Sequence, residues 1–487
     1  MRSIHILGLI LAMVATSCAE LEQIPDGTNT TVSLFRNQKD AEAAVNGMYS
    51  ALQSQNLYNQ YNENLQSQGT DDAEWGFGRN TNNTDKLAVD KFTYTASTNL
   101  VYAYWRTLYQ NINRANLAIK YIDPMSIPDE KKKQYLGEAH FIRGLMFFTL
   151  VRLYGEVPLV LEATEDLDDL EVAKESIDKV YDQILADFQH AKTNLPLTYP
   201  AVDKGRATKG AAMAMLAKVY VTRKEWQKAA DETQEIIALG SYSLWPTYEE
   251  VFRIANKNNK ESIFEIQYRS LGSIGNNNGS TYNGFFRPPA NVLPPAAGKF
   301  AGYGDNPVTE NHYKSYAPGD QRREVNVRYF PNAPKSILYP YYVNKYQDPN
   351  AFNVNDGGNN YYIARYADIL MMSAEVLHEL QPGSTVAYDR FNQVRRRAFG
   401  VPSNTPSVHD LPTGLTPQQF RDSVLVERRR EFAFEGHRRF DLIRMGKLKE
   451  AMTRQDPTIK VEDRHLLLPI PQDELIVNPL LKQNEGY

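Results

Sequence analysis

Residues 206–240 read RATKGAAMAMLAKVYVTRKEWQKAADETQEIIALG, and this stretch decides the fold. Leu216 and Ala217, then Tyr220, then Trp226, then Ala229 fall at the offsets of a tetratricopeptide unit. In such a unit small residues let two antiparallel helices approach, and aromatic side chains fill the gap. A weaker echo places Ala374 on one helix and Ala387 and Phe391 on the next. Helix pairs of this kind cannot bury their apolar faces alone, so neighbours must stack on them, and the stacks usually serve as binding scaffolds rather than active sites. The expected fold class is mainly α: a tetratricopeptide-like helix-pair scaffold with long loop-rich insertions and short hairpins.

Upstream, Ile177, Val180, Tyr181, Ile184, Leu185, Phe188 and Leu195 recur at helical spacing, which predicts a helix with one buried face. Gln134 to Tyr154 behaves likewise, and Arg143 and Arg152 break its apolar runs, so it is no membrane span. The helical pattern begins at Ala41, Val45 and Met48. Between about residues 270 and 360 it gives way to Gly, Asn, Pro and Tyr, as in Gly275-Asn276-Asn277-Asn278-Gly279 and Asp356-Gly357-Gly358-Asn359-Asn360. Turn formers at this density predict long loops with short hairpins, and a loop-rich insertion on a helical scaffold is where recognition usually sits. Amphipathic helices return at Arg365 to Leu380, Thr385 to Ala398 and Thr416 to Glu435. The expected organisation is a leader over 1–17, an anchor and tether over 18–37, an N-terminal helical region over 38–245 and a C-terminal region over 246–487.

The leader starts with Arg2, continues through an apolar run from Ile4 to Ala15, and ends in small residues before Cys18, the only cysteine of the chain. Spanning a bilayer takes roughly 20 apolar residues, so this shorter run reads as a cleaved secretory signal. Ala15-Thr16-Ser17-Cys18 is similar to a lipobox, in which the thiol after the cleavage point is acylated, although Leu is commoner than Ala at the first position. Acyl chains contribute about 0.8 kcal/mol per buried methylene and would hold the protein at a membrane without a spanning helix. The polar segment Glu20 to Thr31, with Pro25 and Gly27, is the expected tether. One cysteine allows no disulfide within the chain.

At 487 residues and 42% hydrophobic content the chain can build a large core. A net charge of -4 from 54 basic and 58 acidic residues gives no electrostatic footprint for phosphate backbones, which excludes nucleic acid as the expected partner. Tyr outnumbers Phe and Trp, 30 against 20 and 4, and its flat apolar ring with a hydrogen-bonding tip suits wet binding surfaces as well as helix packing.

Catalytic motifs are missing: no zinc-binding His-Glu-x-x-His, no Gly-x-Ser-x-Gly elbow, no phosphate loop and no Cys-x-x-Cys. No enzyme activity and no cofactor are therefore expected. Asp71-Asp72, Asp168-Asp169 and Glu249-Glu250 are adjacent acids, but a glycosidase needs carboxyls converging across a sugar bond, which adjacency does not supply. The Asp348 to Asn359 loop has calcium-like residue types without the spacing or closing Glu of an EF-hand, so a solvated turn and no metal are expected. In Glu427-Arg428-Arg429-Arg430-Glu431 and on to Glu435, the acids recur every four residues, which predicts a structural ion-pair network along the helix.

These residues converge on one family. The chain resembles the SusD/RagB nutrient-binding outer-membrane lipoproteins of Bacteroidetes over nearly its whole length. The resemblance is carried by Glu138-Ala139-His140-Phe141-Ile142-Arg143 with Tyr154-Gly155-Glu156-Val157-Pro158-Leu159, and by Arg365-Tyr366-Ala367-Asp368-Ile369-Leu370 with Ala374-Glu375. Asn392-Gln393-Val394-Arg395, Glu427 to Glu431, Glu435-Gly436-His437-Arg438 and Asp441-Leu442-Ile443-Arg444 follow in the family's order. The tail Leu468-Pro469-Ile470-Pro471, Asn478-Pro479 and Gln483-Asn484-Glu485-Gly486-Tyr487 completes it, with Glu485 where the family usually has Pro. The resemblance implies four tetratricopeptide-type helix pairs, an acyl anchor on the outer membrane at the cell surface, and a SusC-like TonB-dependent transporter as partner, to which the protein delivers an oligosaccharide or another nutrient.

A glycan site needs exposed aromatic platforms for the apolar faces of sugar rings, flanked by polar groups for the hydroxyls. Two segments fit. The first holds Asp71, Asp72, Trp75, Phe77, Arg79 and Asn80, with Trp75 the leading candidate; the second holds Tyr282, Asn283, Phe285, Phe286 and Arg287, with Tyr303 further on. Trp105 and Trp226 fall in periodic helices and are expected in the core, and Trp245 beside Pro246 is expected to plug the scaffold. The leading expectation is a glycan-binding subunit. A peptide-binding subunit, which requires a groove satisfying backbone donors and acceptors, and an anchored glycoside hydrolase, which requires converging carboxyls, are the alternatives.

Overall fold

A computed structural model describes residues 35–75, 83–164, 171–270, 272, 279–293, 300–334 and 340–487. The leader, Cys18, most of the tether, Phe77, Arg79, Asn80, Asp168-Asp169 and Gly275 to Asn278 lie outside the described residues. The long helices are α1 (Gln38–Leu52), α2 (Asn99–Ile122), α3 (Asp129–Tyr154), α4 (Ile177–Asn194), α5 (Lys209–Arg223), α6 (Trp226–Ala238), α7 (Tyr366–Leu380), α8 (Thr385–Ala398) and α9 (Pro417–Glu431). Each packs on the next along the chain from α1 to α8, and α9 closes on α7. This is the stacked helix-pair scaffold that residues 206–240 predict. None of the described helices is long and apolar enough to cross a membrane.

The local causes are legible. Ala211, Ala212, Ala214 and Ala217 are fully buried on α5, where small side chains admit its neighbours. Lys224 adopts the left-handed conformation at φ 60, ending α5 and turning the chain into α6. Between α3 and α4 the approach is close enough that a Cβ on Gly144 would stand 3.1 Å from the Phe188 ring. Helix starts are set by side-chain caps: Ser176 on α4, Thr208 on α5, and a Thr416/Gln419 capping box with Pro417 on α9.

Residues 239–365 form the insertion between α6 and α7. The region expected as loops carries short helices at Tyr282–Phe286, Glu310–Ser315 and Arg322–Asn326. Its strands come in two-stranded ladders. After β1 (Val157–Pro158) and β2 (Lys174–Glu175), which pair in the N-terminal half, β3 (Ser262–Ile266) pairs antiparallel with β6 (Tyr361–Arg365), and β4 (Val327–Tyr329) with β5 (Tyr341–Val343). Strand β6 runs directly into α7, with Arg365 at the helix N-cap. Trp105 is core, as expected, whereas Trp226 and Trp245 are only half-buried.

The Arg-rich stretch differs from its expectation in two respects. Its short ion pairs reach across the fold, while along the helix Arg430 stands 3.9 Å from Glu427: Glu431 meets Arg365 (2.6 Å), Arg397 (2.5 Å) and Arg322 (3.1 Å), and Arg428 meets Asp368 (2.7 Å) and Asp441 (2.8 Å). Packing encloses α9, so each charge has to find its counterion on a neighbouring element, because an unpaired buried charge is costly. The helix also stops at Glu431 rather than Glu435. Phe434 turns to φ 61, which brings Glu435 back to accept from Arg365 Nε (2.8 Å) and Lys345 Nζ (2.7 Å). In the calcium-like loop the carboxylates are buried, not solvated: Asp348 accepts from the amides of Asn350 (2.9 Å) and Gly358 (2.7 Å), and Asp356 from Ser270 Oγ (2.6 Å).

Candidate functional site

The segment carrying Trp75 is fixed by the backbone. Ala73 bridges Val308, the Glu74 amide donates to Pro307 O (3.1 Å), and the Thr309 amide donates to Asp72 O (3.1 Å). Residues 72–74 therefore lie against 307–309, and Trp75 follows directly on them.

Asp71 and Asp72, expected beside the ligand, are instead buried and committed to arginines. Arg438 donates to both oxygens of Asp71 (2.7 and 2.8 Å), and Arg429 donates to Asp72 (2.8 Å). His312 Nδ1 stands 3.0 Å from Asp72. Burial by itself would raise the Asp71 carboxyl, but the Arg429 and Arg438 guanidiniums hold it well below the usual carboxylate range. These acids brace the loop.

Trp75 and Phe285, one from each expected segment, meet at a residue the sequence reading did not single out. Lys86 Nζ lies 4.7 Å from the Trp75 ring centroid and 4.9 Å from that of Phe285, and donates to Asp305 (2.9 Å). Cation–π contact with two rings and a carboxylate compensates for taking the ammonium out of water. Burial still lowers the Lys86 pKa and raises that of Asp305, each opposed by the other's charge. Tyr303 completes the group, its ring 5.3 Å from Phe285 at 38°. The two are placed by a ladder between chain segments: the Tyr303 amide donates to Gly284 O (2.9 Å), Asp305 to Phe285 O (2.9 Å) and Gly304 to Arg287 O (3.0 Å). Phe285 and Tyr303 are half-buried, and Trp75 is 8% exposed with its indole N–H buried and unpartnered. Trp75, expected as an exposed platform, is thus buried along with Lys86 and Asp305, and the ring surface the group leaves partly open is that of Phe285 and Tyr303.

Tyr282, Asn283 and Phe286 of the second segment are scaffold. Tyr282 is buried between Tyr361 (5.2 Å) and Tyr346 (5.4 Å), and stacks on Phe286 at 5.2 Å. Asn283 is fully buried and accepts from the Asp348 amide (3.0 Å). The composition of this loop told of aromatic density, not of which rings turn inward. Beneath the stack, Tyr361 donates to Glu63 (2.5 Å), and burial pushes the Glu63 carboxyl up to about 7 against the pull of Ser67 and Tyr361.

Elsewhere, Glu249 and Glu250 both pair with Arg253 (3.1 and 2.6 Å). A cleft of about 620 Å³ between α1 and β3 is lined by Glu42, Asn46, Tyr49, Arg206 and Phe264 and contains none of the expected site residues. No group of three or more metal-ligating side chains occurs among the described residues.

Comparison with known proteins gives a consistent result. Residues 21–221 match a family profile described as starch-binding associating with outer membrane, and residues 331–487 match that of the SusD family. The chain is 29% identical to SusD-like protein P25 of Formosa agariphila over 99% of each chain, and 29% identical to SusD-like protein P2 of the same organism over the whole of both. Among solved structures it is similar to a laminarin-binding SusD-like protein, with 26% identity and a TM-score of 0.81 over 93% of this chain and 100% of that one. A SusD homolog from Bacteroides thetaiotaomicron gives 26% identity and a TM-score of 0.82 over 94% and 98%.

Proposed function

Because the chain belongs to the SusD family, we propose that it binds a glycan at the cell surface, without catalysis, and hands it to a SusC-like TonB-dependent transporter in the outer membrane. The observation that carries this reading is the convergence of Trp75, Phe285 and Tyr303 on the Lys86–Asp305 pair. Ring faces of this kind receive the C–H faces of sugars, and polar groups beside them take the hydroxyls. A similar fold in a laminarin-binding protein supports the same ligand class. Cys18 is proposed as the acylated residue, which would place the protein on the membrane without a spanning helix. Non-catalytic binding is supported by the state of two of the expected acid pairs: Asp71-Asp72 and Glu249-Glu250 are held by arginines, so neither pair offers a free acid for protonating a leaving group.

The test is affinity electrophoresis of protein lacking residues 1–18 in gels containing a panel of neutral and acidic polysaccharides, with Trp75→Ala and Phe285→Ala alongside. Retardation by one polysaccharide, weakened by about tenfold or more in either variant, is expected from loss of a stacking platform. Retardation by none of the panel, or release of reducing ends by the pure protein, would overturn the reading.

A further inference from the structure

The ladder that sets Phe285 and Tyr303 continues to Arg287, and there the chemistry changes. Gly304 donates to Arg287 O (3.0 Å), and a Cβ on Gly304 would lie 3.2 Å from the Tyr342 ring. Tyr342 is the cross-strand partner of Arg328 in the β4–β5 ladder, so the two share a face of that hairpin. The chain segments carrying Arg287 and Arg328 thus meet at Tyr342. Each guanidinium lies over a phenyl ring, Arg287 over Phe300 (5.3 Å) and Arg328 over Phe330 (5.0 Å). Phe330 in turn packs edge-on against Tyr342 at 5.9 Å.

Neither arginine has a carboxylate or carbonyl partner among the described residues, unlike Arg322, Arg365, Arg397, Arg428 and Arg438 in the same half of the chain. Arg287 is half-buried and Arg328 exposed. Burial, and after it the Arg328 charge, pushes the Arg287 guanidinium below its ordinary value. Two guanidiniums carried by the ladder and the hairpin, each over a phenyl ring and without a counterion among the described residues, are a site that an anion relieves. A guanidinium meets a sulfate or carboxylate with paired N–H donors, and aromatic backing leaves those donors free along the ring edge.

We propose that Arg287 and Arg328 form an anion subsite next to the Phe285–Tyr303 platform, and that the glycan taken by this protein is acidic, bearing sulfate esters or uronate carboxylates. The proposal rests on the glycan reading above and narrows it to a class. Neutral glucans are then poor ligands, because the two arginines gain nothing from them and lose hydration.

The test uses the guanidinium Nε–Hε resonances of Arg287 and Arg328 in the soluble full-length mature protein, assigned with Arg287→Gln and Arg328→Gln. Sodium sulfate, compared with sodium chloride at equal ionic strength, is expected to move both resonances saturably. κ-Carrageenan represents sulfate esters, alginate represents uronates and laminarin is the neutral control; one of the acidic pair is expected to move the same resonances and laminarin is not. Arg328→Gln should weaken retention by that acidic polysaccharide about tenfold, the loss expected of a hydrogen bond to a charged group. Resonances that respond to sulfate no more than to chloride overturn the subsite, as does a response to inorganic sulfate that neither acidic polysaccharide reproduces. If laminarin alone is retained, the acidic class is wrong while glycan binding stands. If no polysaccharide of either charge is retained, the subsite falls together with the glycan reading.

Discussion

Arg438 closes two hydrogen bonds on Asp71, at 2.7 and 2.8 Å, across 367 residues of chain. The pair locks the loop that ends in Trp75 to the C-terminal helices, so the far end of the sequence sets the position of the leading ring. Removing one member of a buried ion pair strands the other charge and costs about 3–5 kcal/mol. Arg438→Met should lie at the lower end of that range, because Arg429 still stands 3.3 Å from Asp71. Urea unfolding of the variant measures this, and Asp71→Asn combined with Arg438→Met should recover part of the loss. A loss below about 1 kcal/mol would mean the pair behaves as an exposed one.

Lys86→Met removes the cation from between two rings and leaves Asp305 buried without its ammonium. Destabilisation of about 2–4 kcal/mol is expected, with Lys86→Met/Asp305→Asn more stable than Lys86→Met alone, since the neutral amide no longer needs a counterion. The same double variant should keep the rings together and lose polysaccharide affinity only in the polar contribution. A double-mutant cycle in stability and in gel retardation separates the two effects. Purely additive losses would mean that Lys86 and Asp305 do not act as a pair.

The helix pairs were legible in the sequence because close approach demands small residues at fixed offsets, and α5 and α6 carry them in plain order. Trp75 misled in one respect: a large ring among Gly and polar residues reads as exposed, yet it is buried, 8% exposed, with Lys86 over its face. The partner it meets was not legible. Lys86 and Asp305 are 219 residues apart, and nothing in spacing or composition joins one lysine to one aspartate over that distance. Tyr282, Asn283 and Phe286 failed in the opposite sense. A Gly- and Asn-rich stretch looks like surface, yet Tyr282 inserts between Tyr361 and Tyr346 and anchors the insertion to the scaffold. Arg428 and Arg429 of α9 had visible acids nearby on the helix, but enclosure of the helix sent them to Asp71, Asp72, Asp368 and Asp441 instead.

Two buried glutamates give opposite pH dependences. Burial raises Glu63 to about 7, so its contribution to stability is complete below the ordinary value of 4.5 and is lost as pH rises through about 7. Glu431 is the reverse: burial would raise it, but Arg397, Arg365 and Arg322 hold it at about 2, so its contribution is present above 4.5 and is lost as pH falls from 4.5 toward 2. Each titration has a limiting slope of about 1.4 kcal/mol per pH unit. Glu63→Gln should flatten the decline in stability between pH 5 and 7 while leaving the acid limb intact. Calorimetric melting of both proteins across pH 3 to 8 checks it, and an unchanged neutral limb in Glu63→Gln would rule Glu63 out as its source.

Two glycines separate backbone freedom from close approach. Gly47 sits exposed within α1, and a Cβ there would meet nothing within 4 Å. Its only effect is the conformational entropy of the unfolded chain and the helix propensity, so Gly47→Ala should stabilise the protein by about 0.5–1 kcal/mol with polysaccharide retention unchanged. Gly302 is the contrary case: a Cβ there would stand 2.0 Å from Arg287 O, which is backbone and cannot swing aside. Gly302→Ala must part the ladder that places Phe285, Tyr303 and Arg287. Because the ladder sits in the insertion and the helix pairs form the core, retention should fall about tenfold or more while the melting temperature shifts by only a few degrees. Gel retardation and thermal melting of the two variants side by side give the comparison. A Gly302→Ala protein that binds as tightly as the native one would show that this ladder does not position the ligand contacts.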